Sequence, residues 1–264
     1  MYNFDYYNEI IDRNLLKDEL TQTEECAFDF IHGELIDWRR GDITDIKLSG
    51  SRAKGTAIKG TCDLDIFVSF SSTTKRTLED LYNDCYELLK SKFADVRKQN
   101  VSIGVKVFFE LGEKDVDPVK IDVVPARRID QYGGDHNLFK NKSRTWTKTN
   151  IDKHISQVKK SGRQRDIAAL KIWREINKVE FPSIYLECFA LKALSGYPIE
   201  SCESNFYHLL YSIRREILNS NIYDPANSAN NLSNDLSYSE KQRLASLAGR
   251  DYNRNIEDVL YERR

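Results

Sequence analysis

Asp63 and Asp65 lie two positions apart at the start of the apolar run Leu64–Phe70, whose composition is typical of a β-strand. Side chains two residues apart on a strand point to the same face, and at about 3.4 Å per residue they lie about 7 Å apart. Two carboxylates placed in this way can converge on a hard divalent cation, which prefers oxygen ligands. Because an Asp-x-Asp pair is also common at exposed strand edges, the pair predicts a metal site only together with further ligands.

A third carboxylate, Asp122, lies far along the chain in a second apolar run, Lys120–Pro125. A lone aspartate in a buried strand is unfavourable unless it is paired or bound to a metal ion. The apolar residues that flank the acids in the two runs are Leu64, Ile66, Ile121 and Val123. We therefore expect Asp63, Asp65 and Asp122 to form one site.

Gly50 and Ser51 follow the predicted strand Ile43–Ser49. A glycine at such a turn lets the backbone approach a ligand closely, and a serine hydroxyl beside an exposed amide suits phosphate oxygens. A Gly-Ser pair alone is a common turn, and Asp122 alone could cap a turn. The order of the turn, the paired acids and the third acid on predicted strands favours a site that binds phosphate and metal.

The periodicity of apolar residues predicts the elements that must position this site. Amphipathic helices are predicted around Leu15–Ile36, and Leu78–Leu89 has the three- and four-residue spacing of a helix. Apolar runs predict further strands. The predicted strands are Ile43–Ser49, Leu64–Phe70, Val101–Leu111 and Val119–Val124. The first half of the chain therefore combines a sheet with helices.

The second half has the pattern of a helical domain. Its predicted helices are Ile151–Lys160, Arg163–Lys178, Ser183–Ser195, Ser204–Asn219 and Ser239–Tyr261, with Ser183, Ser204 and Ser239 as N-caps. The polar, glycine-containing segment Ile129–Asn150 is predicted to connect the two halves, and Asn219–Asn234 to form an ordered loop. We expect one domain over residues 1–150, including the N-terminal helices, and a second over residues 151–264.

The composition excludes several classes of protein. The 264 residues include 40 Lys and Arg and 41 Asp and Glu, for a net charge of −1. This balance excludes a uniformly basic nucleic-acid coat and an acidic disordered tail, but not a local basic groove. No stretch approaches the roughly 20 apolar residues of a membrane span, and residues 1–20 lack the apolar core of a signal peptide. The five cysteines have no zinc-binding spacing, which indicates reduced thiols in the cytoplasm.

Over residues 40–250 the sequence resembles the DNA polymerase β-like nucleotidyltransferase superfamily. The resemblance rests on the segments Gly50-Ser51, Gly60-Thr61, Asp63-Leu64-Asp65 and Asp122-Val123-Val124-Pro125-Ala126. The helical half resembles that of archaeal-type CCA-adding enzymes, oligoadenylate synthases and the bacterial CD-NTases related to cyclic GMP-AMP synthase. The segments that carry this second resemblance are Asp166–Trp173, Pro182–Glu187 and Asp224–Leu232. It implies an α+β fold with a mixed-sheet lobe, a helical lobe and an active site in the cleft between them.

The resemblance also implies roles for the acids. Asp63 and Asp65 match the residues that hold two Mg²⁺ ions, with Mn²⁺ as an alternative. Asp122 matches the acid that binds the catalytic metal ion and helps to activate the attacking hydroxyl. All three are therefore expected to be catalytic residues and metal ligands.

Four further residues match positions that contact the triphosphate in the superfamily. They are Gly50, Ser51, Lys171 and Ser183. Two positions depart from the family pattern. Cys62 stands where a serine is common, and Ile184 stands where some relatives place a tyrosine that stacks on the base. The first departure keeps a small side chain, whereas the second puts stacking of the base in doubt.

The implied activity is Mg²⁺-dependent transfer of a nucleotide from a nucleoside triphosphate such as ATP or GTP, with release of pyrophosphate. The short chain and its balanced charge favour another nucleotide as the acceptor. The product would then be a cyclic or linear oligonucleotide second messenger of anti-phage defence, sensed by an effector protein. An RNA 3′ end is the alternative acceptor, and a small molecule such as an aminoglycoside is a third. An inactive nucleotide-sensing scaffold is disfavoured by the three retained acids, and no membrane association is expected.

Overall fold

The computed structural model of the chain describes residues 4–17, 19–109 and 117–261. Its helices are α1 (Phe4–Asn14), α2 (Gln22–Arg39), α3 (Gly50–Lys54), α4 (Leu78–Lys92), α5 (Ile151–Ser161), α6 (Gln164–Asn177), α7 (Ser183–Ala193), α8 (Cys202–Glu216), α9 (Tyr238–Asp251) and α10 (Ile256–Val259). Its strands are β1 (Ile43–Leu48), β2 (Leu64–Phe70), β3 (Asp95–Lys98), β4 (Ile103–Val107), β5 (Val119–Arg128), β6 (His136–Lys140), β7 (Thr145–Thr149), β8 (Tyr223–Asp224) and β9 (Asn227–Asn231).

Strands β1 to β7 form one mixed sheet in the order β1-β2-β5-β4-β3, with β6 paired to β5 and β7 paired to β6. β2 and β5 run parallel, from Leu64 opposite Ile121 to Phe70 opposite Arg127, and the other strand pairs of this sheet are antiparallel. β5 is the central strand because it pairs with β2 along one edge and with β4 and then β6 along the other. Ile121, Asp122 and Val123 are therefore paired on both sides, with β2 and with β4.

Two amphipathic helices, α2 and α4, pack their apolar faces against this sheet. Each begins at a capping box: Thr21 and Glu24 bond to each other's backbone at the start of α2, and Thr77 and Asp80 do so at the start of α4. The buried residues of these faces recur at helical spacing. They are Ala27, Ile31 and Leu35 on α2 and Leu81, Tyr82, Cys85 and Leu89 on α4.

A second core is built from helices α1 and α5 to α10. Its largest buried side chain is Trp173 on α6, which is fully buried. The indole nitrogen of Trp173 donates a hydrogen bond of 2.9 Å to Asp251 Oδ2 on α9. This bond satisfies the polar group that burial would otherwise leave without a partner.

The chain divides into two compact units whose bounds differ from the expected boundary at residue 150. The sheet unit comprises the described residues of Lys17–Ala53 and Cys62–Ile155, and the helical unit comprises those up to Leu16, Lys54–Thr61 and those from Ser156 onward. Helix α1, which we expected in the first domain, belongs to the helical unit because its apolar residues are buried in the helical core. These residues are Tyr7, Ile10 and Ile11. Periodicity reveals that a helix has a buried face, but not which core covers that face.

The segment Ile129–Asn150 differs from the connection that its polar composition predicted. It contains β6 and β7, which extend the sheet from the end of β5. Leu138 and Phe139 on β6 are buried, while Trp146 on β7 is largely exposed. Because few apolar side chains of this hairpin enter a core, its strand character depends on backbone pairing that composition does not reveal.

The ends of several other predicted strands and helices also differ from those in the structure. The strand predicted over Leu64–Phe70 is confirmed, whereas Val101–Leu111 contains only the shorter β4, and its end lies outside the described residues. β3 was not predicted. The predicted ordered loop Asn219–Asn234 contains the hairpin β8–β9 and most of the 3₁₀ turn Leu232–Asp235. The predicted helix Ser239–Tyr261 is interrupted after α9.

The predicted N-caps are displaced by one to three residues. α7 begins at Ser183 itself, after Pro182, and α8 follows Ser201 rather than Ser204. The cap of α9 is Ser237, whose hydroxyl accepts a hydrogen bond from the backbone of Glu240. Of these three N-cap positions, Ser237 alone combines extended backbone geometry with a side-chain cap bond, and sequence spacing did not identify it.

None of the described helices combines the length and apolar character needed to cross a membrane. The five cysteines are all unpaired in the structure, in keeping with the expectation of free thiols.

Replacing Ile66, which is fully buried on β2, with alanine tests the contribution of the sheet core. We expect Ile66→Ala to lower the free energy of unfolding by about 2–5 kcal/mol, because the substitution removes buried methyl groups and leaves a cavity. The matched control is Ile129→Ala, since the Ile129 side chain is 45% exposed. Urea denaturation followed by circular dichroism measures both, and equal losses would contradict the assignment of the core.

Candidate active site

The three predicted acids lie at one edge of the parallel pair β2–β5. Asp65 on β2 is directly opposite Asp122 on β5. Because residues in register on neighbouring strands point to the same face, the two carboxylates share one side of the sheet. Asp63 precedes β2 by one residue and is exposed, whereas Asp65 and Asp122 are half-buried. The tertiary structure therefore brings Asp122 to the Asp63–Asp65 pair across 57 positions of sequence.

Gly50 begins α3 with φ +59°, in the left-handed region that favours glycine. A Cβ atom at Gly50 would lie 1.7 Å from Asp65 Oδ2 and 2.4 Å from its Cγ, so a side chain there would displace the Asp65 carboxylate. Next to it, the Ser51 hydroxyl lies 3.3 Å from the sulfur of Cys62. The turn predicted to hold phosphate is thus packed directly against Asp65.

Two neutral side chains hold the carboxylate of Asp122. Gln99 Nε2 donates a hydrogen bond of 2.8 Å to Asp122 Oδ1, and Ser102 Oγ makes a longer contact of 3.4 Å with Oδ2. Burial raises the pKa of Asp122, and the negative charge of Asp63 raises it further, while the two hydrogen bonds act in the opposite direction. This effect of Asp63 on Asp122 indicates that their charges are close.

Three carboxylates provide the oxygen donors that Mg²⁺ prefers. In the part of the chain that the structure describes, no three His, Cys, Asp or Glu side chains are already arranged to hold a metal ion. Asp65 faces Gly50, and Asp122 is hydrogen-bonded to Gln99. The donor chemistry fits the predicted ions, and the assignment of Asp63, Asp65 and Asp122 as ligands stays a prediction.

Lys171 lies on α6 in the helical unit and is 2% exposed. Its ammonium group is 2.9 Å from Glu187 Oε1 and 2.9 Å from Thr56 Oγ1. Lys54 Nζ lies 2.7 Å from the other oxygen, Glu187 Oε2. One buried carboxylate therefore faces two ammonium groups, and a contact of Lys171 with triphosphate stays a prediction from the family resemblance.

Lys54, Lys171 and Glu187 form a buried cluster with two positive charges and one negative charge, and the pKa values reflect this imbalance. Burial raises the pKa of Glu187, but attraction to Lys171 and Lys54 outweighs burial and lowers it to about 2. Burial lowers the pKa of Lys171 by more than Glu187 raises it, and the charge of Lys54 lowers it as well. The cluster therefore has a strongly held anion and an excess of positive charge.

Ser183 is exposed at the start of α7, and its hydroxyl accepts a hydrogen bond of 3.0 Å from Arg174 Nη1. Lys171 and Ser183 thus have different partners within the helical unit.

The sequence patterns gave no role to Gln99, Ser102 or Lys54. Both Gln99 and Ser102 lie in the turn between β3 and β4, whereas the sequence predicted no element at Gln99 and placed Ser102 inside a strand.

The nucleotidyltransferase domain family matches residues 34–188. Because this match spans more than half of the 264 residues, the chain belongs to that family. No curated protein matches the sequence.

Solved structures share the fold. E. coli MS115-1 CdnC with ATP is 20% identical with a TM-score of 0.71, and the alignment covers 91% of this chain and 88% of that one. The Bradyrhizobium diazoefficiens CD-NTase CdnG with GTP is 13% identical with a TM-score of 0.74, covering 94% and 89%. A mutant of the Cid1 poly(U) polymerase bound to MgATP is 14% identical with a TM-score of 0.66, covering 98% of both chains. CdnC is also known in complex with HORMA-deltaN, at 18% identity and a TM-score of 0.70, covering 93% and 87%.

The fold is therefore that of the polymerase β-like nucleotidyltransferases, and the expected α+β class with a mixed sheet is confirmed. The chain is a nucleotidyltransferase enzyme.

Removing the charge of Glu187 tests the buried cluster. We expect Glu187→Gln to lower the free energy of unfolding by about 3–5 kcal/mol, because it leaves two buried ammonium groups without an anion. The matched control, Glu216→Gln on the exposed face of α8, should change it by less than about 0.5 kcal/mol. Thermal and urea unfolding measure both variants.

The stability that Glu187 contributes decreases as the pH falls. Because the pKa of Glu187 is lowered from 4.5 to about 2, its stabilising contribution is complete above 4.5 and is lost as the pH falls towards 2. Wild type should therefore lose this component of stability on acidification, and Glu187→Gln should lack it. Parallel stability profiles of the two proteins between those pH values would contradict the assignment.

Proposed function

We propose that this enzyme joins nucleoside triphosphates in a Mg²⁺-dependent reaction that releases pyrophosphate and yields a cyclic or linear oligonucleotide. The observation that carries the proposal is the register of β2 and β5, which sets Asp65 opposite Asp122 with Asp63 two residues away. The packing of Gly50 against the Asp65 carboxylate supports a phosphate-binding turn beside these acids.

Each residue of the proposed site would have a defined role in metal binding, phosphate binding or proton transfer. Asp63, Asp65 and Asp122 would hold Mg²⁺, and Gly50 with Ser51 would bind the triphosphate. The acceptor hydroxyl attacks the α-phosphorus, the bond to the departing pyrophosphate breaks, and the hydroxyl proton leaves towards the carboxylate of Asp122. Bound Mg²⁺ supplies positive charge that favours deprotonation of the acceptor and stabilises the leaving group. Lys171 and Ser183 would also contact the triphosphate, as the family resemblance implies.

A nucleotide is the acceptor that the available features favour. CdnC and CdnG, which have the same fold, are known with ATP and GTP respectively. The balance of 40 basic and 41 acidic residues also argues against an extended RNA-binding surface. We further propose that the product is a second messenger of anti-phage defence, read by a separate effector protein. The CdnC complex with HORMA-deltaN makes a protein partner a reasonable expectation.

Addition of nucleotides to an RNA 3′ end is the second candidate function. It is favoured by the likeness to the Cid1 poly(U) polymerase, which covers 98% of both chains. The two functions share the same acids and differ in the acceptor, so a product assay separates them.

Replacing the acids tests the catalytic assignment. We expect Asp63→Ala and Asp122→Ala each to reduce pyrophosphate release by at least about 100-fold, because each removes a carboxylate that would hold Mg²⁺ at the reacting phosphate. Asp29→Ala, at an exposed position of α2, is the matched control and should keep wild-type activity. Release from ATP, GTP, CTP and UTP is measured with and without Mg²⁺, and circular dichroism confirms that each variant is folded. Full activity in a folded Asp122→Ala protein would rule out the assignment.

Product analysis identifies the acceptor. After incubation with all four triphosphates, the products are treated with phosphatase and with a nuclease specific for 3′–5′ linkages. A product that resists phosphatase is a ring, whereas a linear oligonucleotide loses its terminal phosphates. Extension of labelled transfer RNA would support the second candidate instead. Binding of triphosphates without pyrophosphate release would identify an inactive nucleotide-sensing scaffold.

A further inference from the structure

We propose that Gln99 and Ser102 are positioning residues, which orient the carboxylate of Asp122 so that it can bind a divalent cation. The inference rests on the proposed function and deepens it, since it concerns how one ligand of that site is held.

The contacts reach both oxygens of Asp122. Gln99 Nε2 donates to Oδ1 at 2.8 Å, and Ser102 Oγ lies 3.4 Å from Oδ2. Ser102 Oγ also lies 3.0 Å from Gln99 Oε1, so the serine hydroxyl fixes the amide as well as the acid. Because the serine has a single hydroxyl proton, its shorter bond is to Gln99 and its contact with Asp122 is the weaker one. Gln99 is therefore the principal support of Asp122.

The strand position opposite Asp122 is shaped for this amide. On the antiparallel strand β4 that position is Gly104. A Cβ atom at Gly104 would lie 2.7 Å from Gln99 Nε2 and 3.5 Å from Asp122 Oδ1, so the Gln99 amide would have to move away from its present position. A glycine inside a strand weakens the strand and often marks a close approach of another group. Here the group that approaches is the Gln99 amide.

The turn that carries Gln99 and Ser102 is itself held in place. The Tyr82 hydroxyl lies 2.8 Å from the carbonyl oxygen of Gln99 and 2.9 Å from that of Ser102. The backbone nitrogen of Gln99 donates to the Ser102 carbonyl at 3.0 Å, and Asn141 donates to the Asn100 carbonyl at 2.7 Å. Tyr82 is fully buried on α4. The amide is thus presented from a turn anchored to the sheet core.

The neutral partners of Asp122 leave its carboxylate suited to binding a cation. A carboxylate oxygen has two acceptor sites, so the hydrogen bond from Gln99 to Oδ1 and the weaker contact of Ser102 with Oδ2 leave at least one site on each oxygen for a metal ion. A lysine or arginine in place of Gln99 would add a fixed positive charge and oppose cation binding. A neutral amide orients the carboxylate without that repulsion. Partners of this kind typically change metal affinity by about 10- to 100-fold when they are removed.

The test is metal binding in the absence of nucleotide, measured by titration with Mn²⁺ and electron paramagnetic resonance. We expect Gln99→Ala to weaken Mn²⁺ binding about 10- to 100-fold, with a smaller loss for Ser102→Ala. The matched control is Gln131→Ala, at an exposed position of the same unit, which should bind Mn²⁺ as wild type does. In steady-state assays Gln99→Ala should raise the Mg²⁺ concentration needed for half-maximal rate and leave the KM for nucleotide unchanged.

A second variant removes the contact without changing Gln99. Gly104→Ala places a methyl group where the Gln99 amide lies, so it should weaken Mn²⁺ binding in wild type but not further in Gln99→Ala. Additive losses would overturn the inference, as would wild-type Mn²⁺ affinity in Gln99→Ala. If Gln99→Ala does not fold, the Mn²⁺ affinity of Gly104→Ala decides.

The outcomes distinguish this inference from the proposed function. Wild-type Mn²⁺ affinity in Gln99→Ala together with lost affinity in Asp122→Ala overturns the positioning role and leaves the acid site intact. Wild-type affinity in both variants overturns the metal site as well.

Discussion

The parallel pairing of β2 with β5 is the constraint on which the candidate site depends. It sets Asp65 opposite Asp122 on two strands whose other residues are largely apolar. Placing like charges side by side in a half-buried position is unfavourable, and burial together with Asp63 raises the pKa of Asp122 accordingly. The neighbouring positions accommodate these acids, because Gly50 and Gly104 lack the side chains that would clash with them or with the Gln99 amide.

Glu187 and Asp122 are carboxylates with different kinds of partner. In the helical unit, Glu187 is neutralised by Lys54 and Lys171 at 2.7 and 2.9 Å, as expected for a buried ion that stabilises the fold only as a pair. In the sheet unit, the hydrogen-bond partners of Asp122 are a neutral amide and a neutral hydroxyl. A carboxylate held by neutral donors keeps its negative charge available, which is the property that a site for a divalent cation needs. Glu187 is thus neutralised by cations within the protein, whereas the hydrogen-bond partners of Asp122 carry no charge.

Elements with a buried face were predictable from the sequence, whereas elements held by backbone pairing were not. The strand Leu64–Phe70 and the apolar faces of α2 and α4 were predictable because burial imposes a period on the side chains. The hairpin β6–β7 was missed because backbone pairing, rather than a buried face, holds much of it in the sheet. Helix α1 was assigned to the wrong unit because a periodic apolar face does not identify the core that covers it.

The sequence by itself determined the class of chemistry. The Gly-Ser turn, the Asp-x-Asp pair and the distant aspartate in an apolar strand identified the nucleotidyltransferase family before any fold was known, because residue type and order along the chain suffice for such motifs. Only the tertiary structure decided which side chains surround those acids. Gln99, Ser102 and Gly104 reach Asp122 across strand pairing and a turn, and Lys54 reaches Glu187 across 133 positions. Contacts of this kind depend on register and packing between distant segments, which local composition does not encode.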